Sequence, residues 1–150
     1  MLKGLDPRLG ADVLHTLAAM GHGDSLIVVD TNFPAVSVAK HTVLGRPLLM
    51  ENLKVAETVE AILSVFPLDT YVDDFAAWME VVDAPGKVEP VMAEIQAAID
   101  TAEGRPRPVV PVERFAFYEL AKDSFAIIRT GERRFYGNVM LRKGVVPPKV

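Results

Sequence analysis

No cysteine occurs among the 150 residues, which removes disulfide cross-links, thiolate metal sites and cysteine nucleophiles from consideration. Lys and Arg never run longer than a pair, and acidic residues outnumber basic ones by 20 to 16. A surface built for nucleic-acid phosphates is therefore not expected. No apolar stretch approaches the roughly 18 residues of a membrane span, and the start, Met1-Leu2-Lys3-Gly4-Leu5-Asp6-Pro7, lacks a signal-peptide core. A soluble protein of the cytoplasm, without membrane partners, is the expectation. Walker-type and dinucleotide-type glycine fingerprints are missing, as is a Gly-x-Ser-x-Gly nucleophile elbow. His15 and His41 lack metal-ligand spacing and read as a helix-surface and a loop histidine, so no metal is expected.

What is present is a chain half apolar and about a quarter charged. Its length suits one domain, residues 1–150, burying roughly two-thirds of its unfolded surface. Helical spacing of apolar residues predicts helices over residues 10–20, closed by Gly21, over 51–66, closed by Pro67, and over 88–102, closed by Gly104-Arg105-Pro106. A short helix is expected over 113–123. Strands are expected over 25–29, 124–129 and 136–142, with a polar turn over 130–135; residues 75–82 can be a strand, although Ala76, Ala77 and Met79 leave helix open, and 109–110 can form a short strand. Residues 33–50 carry Pro34, Gly45 and Pro47 and read as a loop with at most a brief strand at 42–44. Helices and strands intermix along the whole length, which favours an α/β layered domain with a mixed sheet and flanking helices. The Pro-rich residues 146–150 read as a tail.

Candidate chemistry begins at Gly21-His22-Gly23-Asp24, where glycines on both sides leave one imidazole exposed before a buried strand. Such a residue suits proton transfer near neutral pH; a surface histidine beside a helix stop reads identically. Asp30, at the carboxyl end of that strand, could grip a ligand or simply form an Asx-turn with Thr31-Asn32; Asn32 shares the ambiguity. Arg114 and Tyr118, four apart, leave one face of a helix and can converge on one ligand, or be a surface Arg and a half-buried Tyr. Their neighbours Phe115 and Phe117 read as core. In Tyr136-Gly137-Asn138, alternation along a strand turns Tyr136 and Asn138 to one side, and Gly137 permits close approach. An aromatic ring beside an amide suits a sugar; an ordinary cross-strand pair looks the same. Trp78-Met79 could line a pocket, but core packing is the better reading.

Taken in order, these strings resemble the L-fucose mutarotase branch of the family that also contains D-ribose pyranase. The resemblance runs nearly end to end, through Met1 to Pro7, Ala19-Met20-Gly21-His22-Gly23-Asp24, Asp30-Thr31-Asn32-Phe33-Pro34-Ala35 and Leu68-Asp69-Thr70-Tyr71. It continues through Arg114-Phe115-Ala116-Phe117-Tyr118-Glu119, Thr130-Gly131-Glu132 and Tyr136-Gly137-Asn138. It implies an α/β fold assembling into homo-oligomers, typically ring-like decamers, with the sugar site near subunit contacts and no cofactor. By motif position, His22 resembles the family's proton-transferring residue. Asp30, Asp69, Arg114, Tyr118, Tyr136 and Asn138, with Gly137 among them, resemble the sugar-contacting set. Where fucose mutarotases usually show Arg-x-Asp-Gly, this chain has Leu44-Gly45-Arg46-Pro47, which leaves the preferred sugar open.

The activity implied is interconversion of the α and β anomers of a free monosaccharide, L-fucose or a relative, by a carbohydrate isomerase. His22 would act as acid/base with Asp30 orienting it, and Tyr118 or Tyr136 would relay the second proton. Two alternatives keep the pocket: a sugar-binding accessory protein without useful catalysis, and a ribose-type pyranase.

Overall fold

A computed structural model describes residues 1–150 and contains six strands and five helices. In chain order these are α1 (Ala11–Ala19), β1 (Ser25–Val29), α2 (Ala35–Ala39), β2 (Leu48–Met50), α3 (Val55–Leu63) and β3 (Ala76–Met79). There follow α4 (Pro90–Glu103), β4 (Val110–Val112), α5 (Arg114–Lys122), β5 (Ala126–Thr130) and β6 (Val139–Arg142). The strands form one mixed sheet in the order β2-β5-β1-β6-β3-β4. β6 runs antiparallel to both of its neighbours, β1 and β3, while β1 with β5, β2 with β5 and β3 with β4 pair in parallel. One reversed strand in an otherwise parallel sheet has a direct consequence: the amino end of β6 lies among the carboxyl ends of β1 and β3.

Both faces of the sheet are covered, which explains why β1 reads as a continuous apolar run rather than an alternating one. Leu26 and Val28 pack into a core shared with α1, α3 and α4, whereas Ile27 and Val29 face the smaller core under α2 and α5. Phe117 of α5 is fully buried there and meets Phe33 edge-on, with ring centroids 6.2 Å apart. The helix ends follow local chemistry. Pro90 opens α4 at a position that needs no donor, and Gly104 closes it in the left-handed conformation with φ 69°. The Glu113 carboxylate accepts the Phe115 and Ala116 N–H groups at the start of α5.

Several expectations are corrected. Residues 33–50, expected as a loop with at most a brief strand at 42–44, contain two regular elements, α2 and β2, and no strand at 42–44. α2 is a five-residue helix and β2 a three-residue edge strand behind Pro47, both too short for a periodic signal. The last strand begins at Val139, so Tyr136, Gly137 and Asn138 belong to the loop before it. Phe115 is 68% exposed rather than core, because the face of α5 turned inward carries Phe117 and Ala121, four apart, and Phe115 lies on the other side of the helix. Helix α1 ends with Met20 extended; the left-handed residue of the following turn is Gly23, with φ 87°. No helix is long and apolar enough to cross a membrane.

Candidate functional site

At the carboxyl edge of the sheet a pocket of about 250 Å³ is lined by Asp30, Asn32, Phe33, Met79, Val82, Arg114, Tyr118, Phe135, Tyr136 and Asn138. Its volume lies below the roughly 300–1,000 Å³ of sites for drug-sized ligands, which suits a small compact molecule. Apolar side chains and hydroxyl-binding groups share the wall. Such a mixture matches a sugar, which presents C–H faces and hydroxyls together.

The topology assembles this wall. Asp30 follows β1, Met79 ends β3, Arg114 and Tyr118 ride the first turns of α5 after β4, and Asn138 precedes the reversed β6. Pairing of Val28 with Val139 brings Asp30 and Asn138 side by side. The Asp30 N–H donates to Asn138 Oδ1 at 3.1 Å, and Asn138 Nδ2 donates to Asp30 Oδ2 at 3.2 Å. Asp30 Oδ1 accepts the N–H groups of Asn32 and Phe33, so the Asx-turn reading of this residue holds alongside the pocket reading. Burial pushes the Asp30 carboxyl above its ordinary pKa of 3.8, against the opposing hydrogen bonds of Asn32, Phe33, Gly137 and Asn138. A carboxyl poised upward in a cleft is suited to exchanging protons.

Arg114 lies with its guanidinium carbon 5.7 Å from the Tyr118 ring centroid, as the four-residue spacing requires. The Tyr118 hydroxyl beside it is the main reason the Arg114 proton is held more firmly than usual. Tyr136 occupies the left-handed region with φ 65°, a conformation that costs a non-glycine residue about 1–2 kcal/mol. Its hydroxyl accepts the Val82 N–H at 3.1 Å, which leaves the phenolic proton free to donate.

His22 and Asp69 stand elsewhere. They lie at the amino end of β1, separated from Asp30 by the five-residue strand, roughly 16 Å of extended chain. There His22 Nε2 is 3.2 Å from Asp69 Oδ2. The end of β6 holds both: the Gly23 N–H donates to the Lys143 carbonyl, the Asp69 N–H donates to the Arg142 carbonyl, and Lys143 Nζ donates to the Leu17 and Met20 carbonyls that end α1. The His22 side chain is 55% exposed while that of Asp69 is only 6% exposed, and the second carboxylate oxygen of Asp69, Oδ1, is buried without a hydrogen-bond partner. A buried carboxylate behind an exposed imidazole orients the ring.

A profile of the RbsD / FucU transport protein family matches residues 3–146. The chain belongs to the RbsD / FucU family. It is 41% identical to the fucose mutarotase of Danio rerio over 152 residues, covering 99% of this chain and 97% of that one. The crystal structure of FucU from Bifidobacterium longum superposes with a TM-score of 0.87 at 39% identity, covering 96% of this chain and 99% of the other. That of the fucose mutarotase from Streptococcus pneumoniae in complex with L-fucose gives 0.85 at 31% identity, with 97% and 100% covered. The α/β architecture with a mixed sheet is thus that of the RbsD / FucU fold.

Within one protomer the structure gathers Asp30, Arg114, Tyr118, Tyr136 and Asn138 in the pocket and leaves His22 and Asp69 out of it. The expected orientation of His22 by Asp30 is corrected: its carboxylate neighbour is Asp69, 47 residues away in the chain. Gly137 is also reassigned. It does not line the pocket, and a Cβ there would meet Glu132 Cγ at 2.9 Å and Asp30 Cβ at 3.4 Å; it packs beneath Asp30. Sequence reasoning missed Phe33, Val82 and Phe135 and assigned Met79 to the core. Met79 serves both core and pocket, whereas Trp78 is confined to the core. Isolated apolar residues in loops carry no periodic signal, so only Phe33, next to Asp30-Thr31-Asn32, had a local clue.

The raised Asp30 carboxyl has a measurable consequence for stability. The folded state binds the proton more tightly than the unfolded chain, so this group's contribution is complete below about pH 3.8 and declines as pH rises through the higher folded value. Asp30→Asn lacks this dependence. The difference in Tm between wild type and Asp30→Asn is expected to move in favour of the wild type on acidification through that window, as thermal unfolding at several pH values will show.

Proposed function

We propose that this chain is a fucose-type mutarotase, a carbohydrate isomerase that interconverts the α and β anomers of free L-fucose. The observation that carries the reading is the pocket itself: Asp30, Arg114, Tyr118, Tyr136 and Asn138 converge beside the apolar Phe33, Met79 and Val82. Mutarotation requires a base to take the proton of the anomeric hydroxyl while an acid gives one to the ring oxygen as the C1–O5 bond breaks. Rotation about the C1–C2 bond presents the other carbonyl face, and the same steps in reverse close the ring. Arg114 and Asn138 hold hydroxyls and so place the anomeric carbon. In this reading Tyr118 and Asp30, which line the same pocket, take part in the proton exchange.

His22 completes this site from a second copy of the chain. Its imidazole is exposed and backed by Asp69, while Val82, Phe115 and Phe135, all close to the pocket, expose large apolar surfaces of the kind that association covers. The orphaned Asp69 Oδ1 also fits a position that an approaching donor fills. Closed symmetric assembly makes every pocket equivalent, and a ring, such as the decamer the family resemblance implies, is the arrangement we favour. Placement in the cytoplasm and independence from cofactors belong to the same reading.

Saturation-transfer NMR on L-fucose tests it. The protein at catalytic concentration is expected to accelerate α–β exchange, and pyranose–furanose exchange of D-ribose is expected to be slower. Binding without faster exchange would favour an accessory sugar-binding role, a reading to which the separation of His22 from the pocket within one protomer lends support.

A further inference from the structure

Glu132 is a buried carboxylate, 2% exposed, that neither lines the pocket nor joins the His22 pair. It touches both loops that build the pocket wall. Its carbonyl accepts the Thr31 N–H, directly after Asp30, and its carboxylate accepts the Arg134 N–H, Nε and Nη2. Its Cγ fills the space beneath Gly137, which in turn contacts the Asp30 side chain. The Arg134 guanidinium spans outward to Glu94 of α4, with Nη1 and Nη2 each 2.7 Å from a carboxylate oxygen. A planar fork can bridge two carboxylates in this way; an ammonium point charge cannot.

Between Arg134 and β6 the chain carries Phe135, Tyr136 and Asn138 into the pocket, with Tyr136 in its unfavourable left-handed conformation. Such a conformation persists only where the surroundings over-determine it. We infer that the Glu132–Arg134–Glu94 chain is a positioning device: it clamps the loop bearing Tyr136 and Asn138 to α4 and sets the grip of the pocket on its sugar. Glu132 and Arg134 act through Tyr136 and Asn138 and touch no substrate. Arg134 holds the Glu132 carboxyl below the ordinary glutamate range, so the clamp stays charged throughout the neutral range. The functional half of this inference rests on the sugar-site reading above; the positional half does not.

Two variants of the full chain test it, Glu132→Gln and Arg134→Lys, with the second deciding where the first does not fold. The chain holds three tyrosines, so ¹³C-tyrosine ring spectra resolve Tyr136 without any assay of activity. Tyr136 resonances are expected to shift or broaden in Arg134→Lys while those of Tyr71 stay in place. In L-fucose exchange the KM is expected to rise roughly three- to tenfold with kcat changed by less than about twofold, the pattern of lost uniform binding. Unmoved Tyr136 resonances in the folded variant overturn the clamp, whatever the protein catalyses. Displaced Tyr136 with an unchanged KM keeps the clamp's hold on the loop and overturns its control of sugar grip. A wild type that does not speed anomer exchange sinks the mutarotase reading instead, and the spectra still decide the positional claim.

Discussion

A His22→Ala protein is expected to bind L-fucose while losing on the order of 10²–10⁴ in the rate of anomer exchange, the usual worth of a positioned general acid or base. The imidazole is exposed in a turn that backbone and side-chain hydrogen bonds of Lys143, just after β6, hold in place, and its Nε2 meets the Asp69 carboxylate at 3.2 Å. Asp69→Asn should fall between wild type and His22→Ala. It keeps the shape behind the ring but replaces a carboxylate oxygen with an amide, so the hydrogen bond that orients the imidazole is weakened. Saturation-transfer NMR gives the rates, and chemical-shift titration with the sugar gives the affinities. Retention of the wild-type rate by folded His22→Ala would remove this residue from the mechanism.

The second large effect is restoration of activity by mixing two inactive proteins. Asp30→Asn lacks the pocket carboxylate and His22→Ala lacks the imidazole, and the two residues lie at opposite ends of β1. In a site completed between copies, an interface that joins a His22 from one variant to an Asp30 from the other is whole again. Random co-assembly from equal amounts gives such pairings at roughly a quarter of sites, because each half-site is intact in half of the subunits. Exchange activity near a quarter of wild type is therefore expected after joint refolding or co-expression, against almost none for either protein alone. A mixture no more active than its components would show that His22 and Asp30 do not cooperate across an interface. Size-exclusion chromatography of the mixture establishes that assembly took place.

Much of the architecture was legible because burial imposes periods on the chain. The runs that became α1, α3 and α4 repeat apolar residues at helical spacing, and β1 shows the unbroken apolar string of a strand covered on both sides. Elements α2 and β2 escaped notice because five and three residues cannot display a period. The Arg114–Tyr118 convergence was readable for the opposite reason: four residues on a helix is a purely local relation. The role of Glu132 was hidden, since nothing local marks a carboxylate as buried or as matched to a guanidinium that also reaches α4.

The residue types of the site, its glycine-flanked histidine, its helical Arg–Tyr pair and its aromatic–amide string, were determined by the sequence alone, together with the α/β class. Only the tertiary structure decided their partnerships. Reversal of β6 joins Asp30 to Asn138 at one edge of the sheet and His22 to Asp69 at the other. Local preferences act over a few residues, whereas the direction and register of β6 are settled by pairing with β1 and β3, whose residues lie far away in the chain.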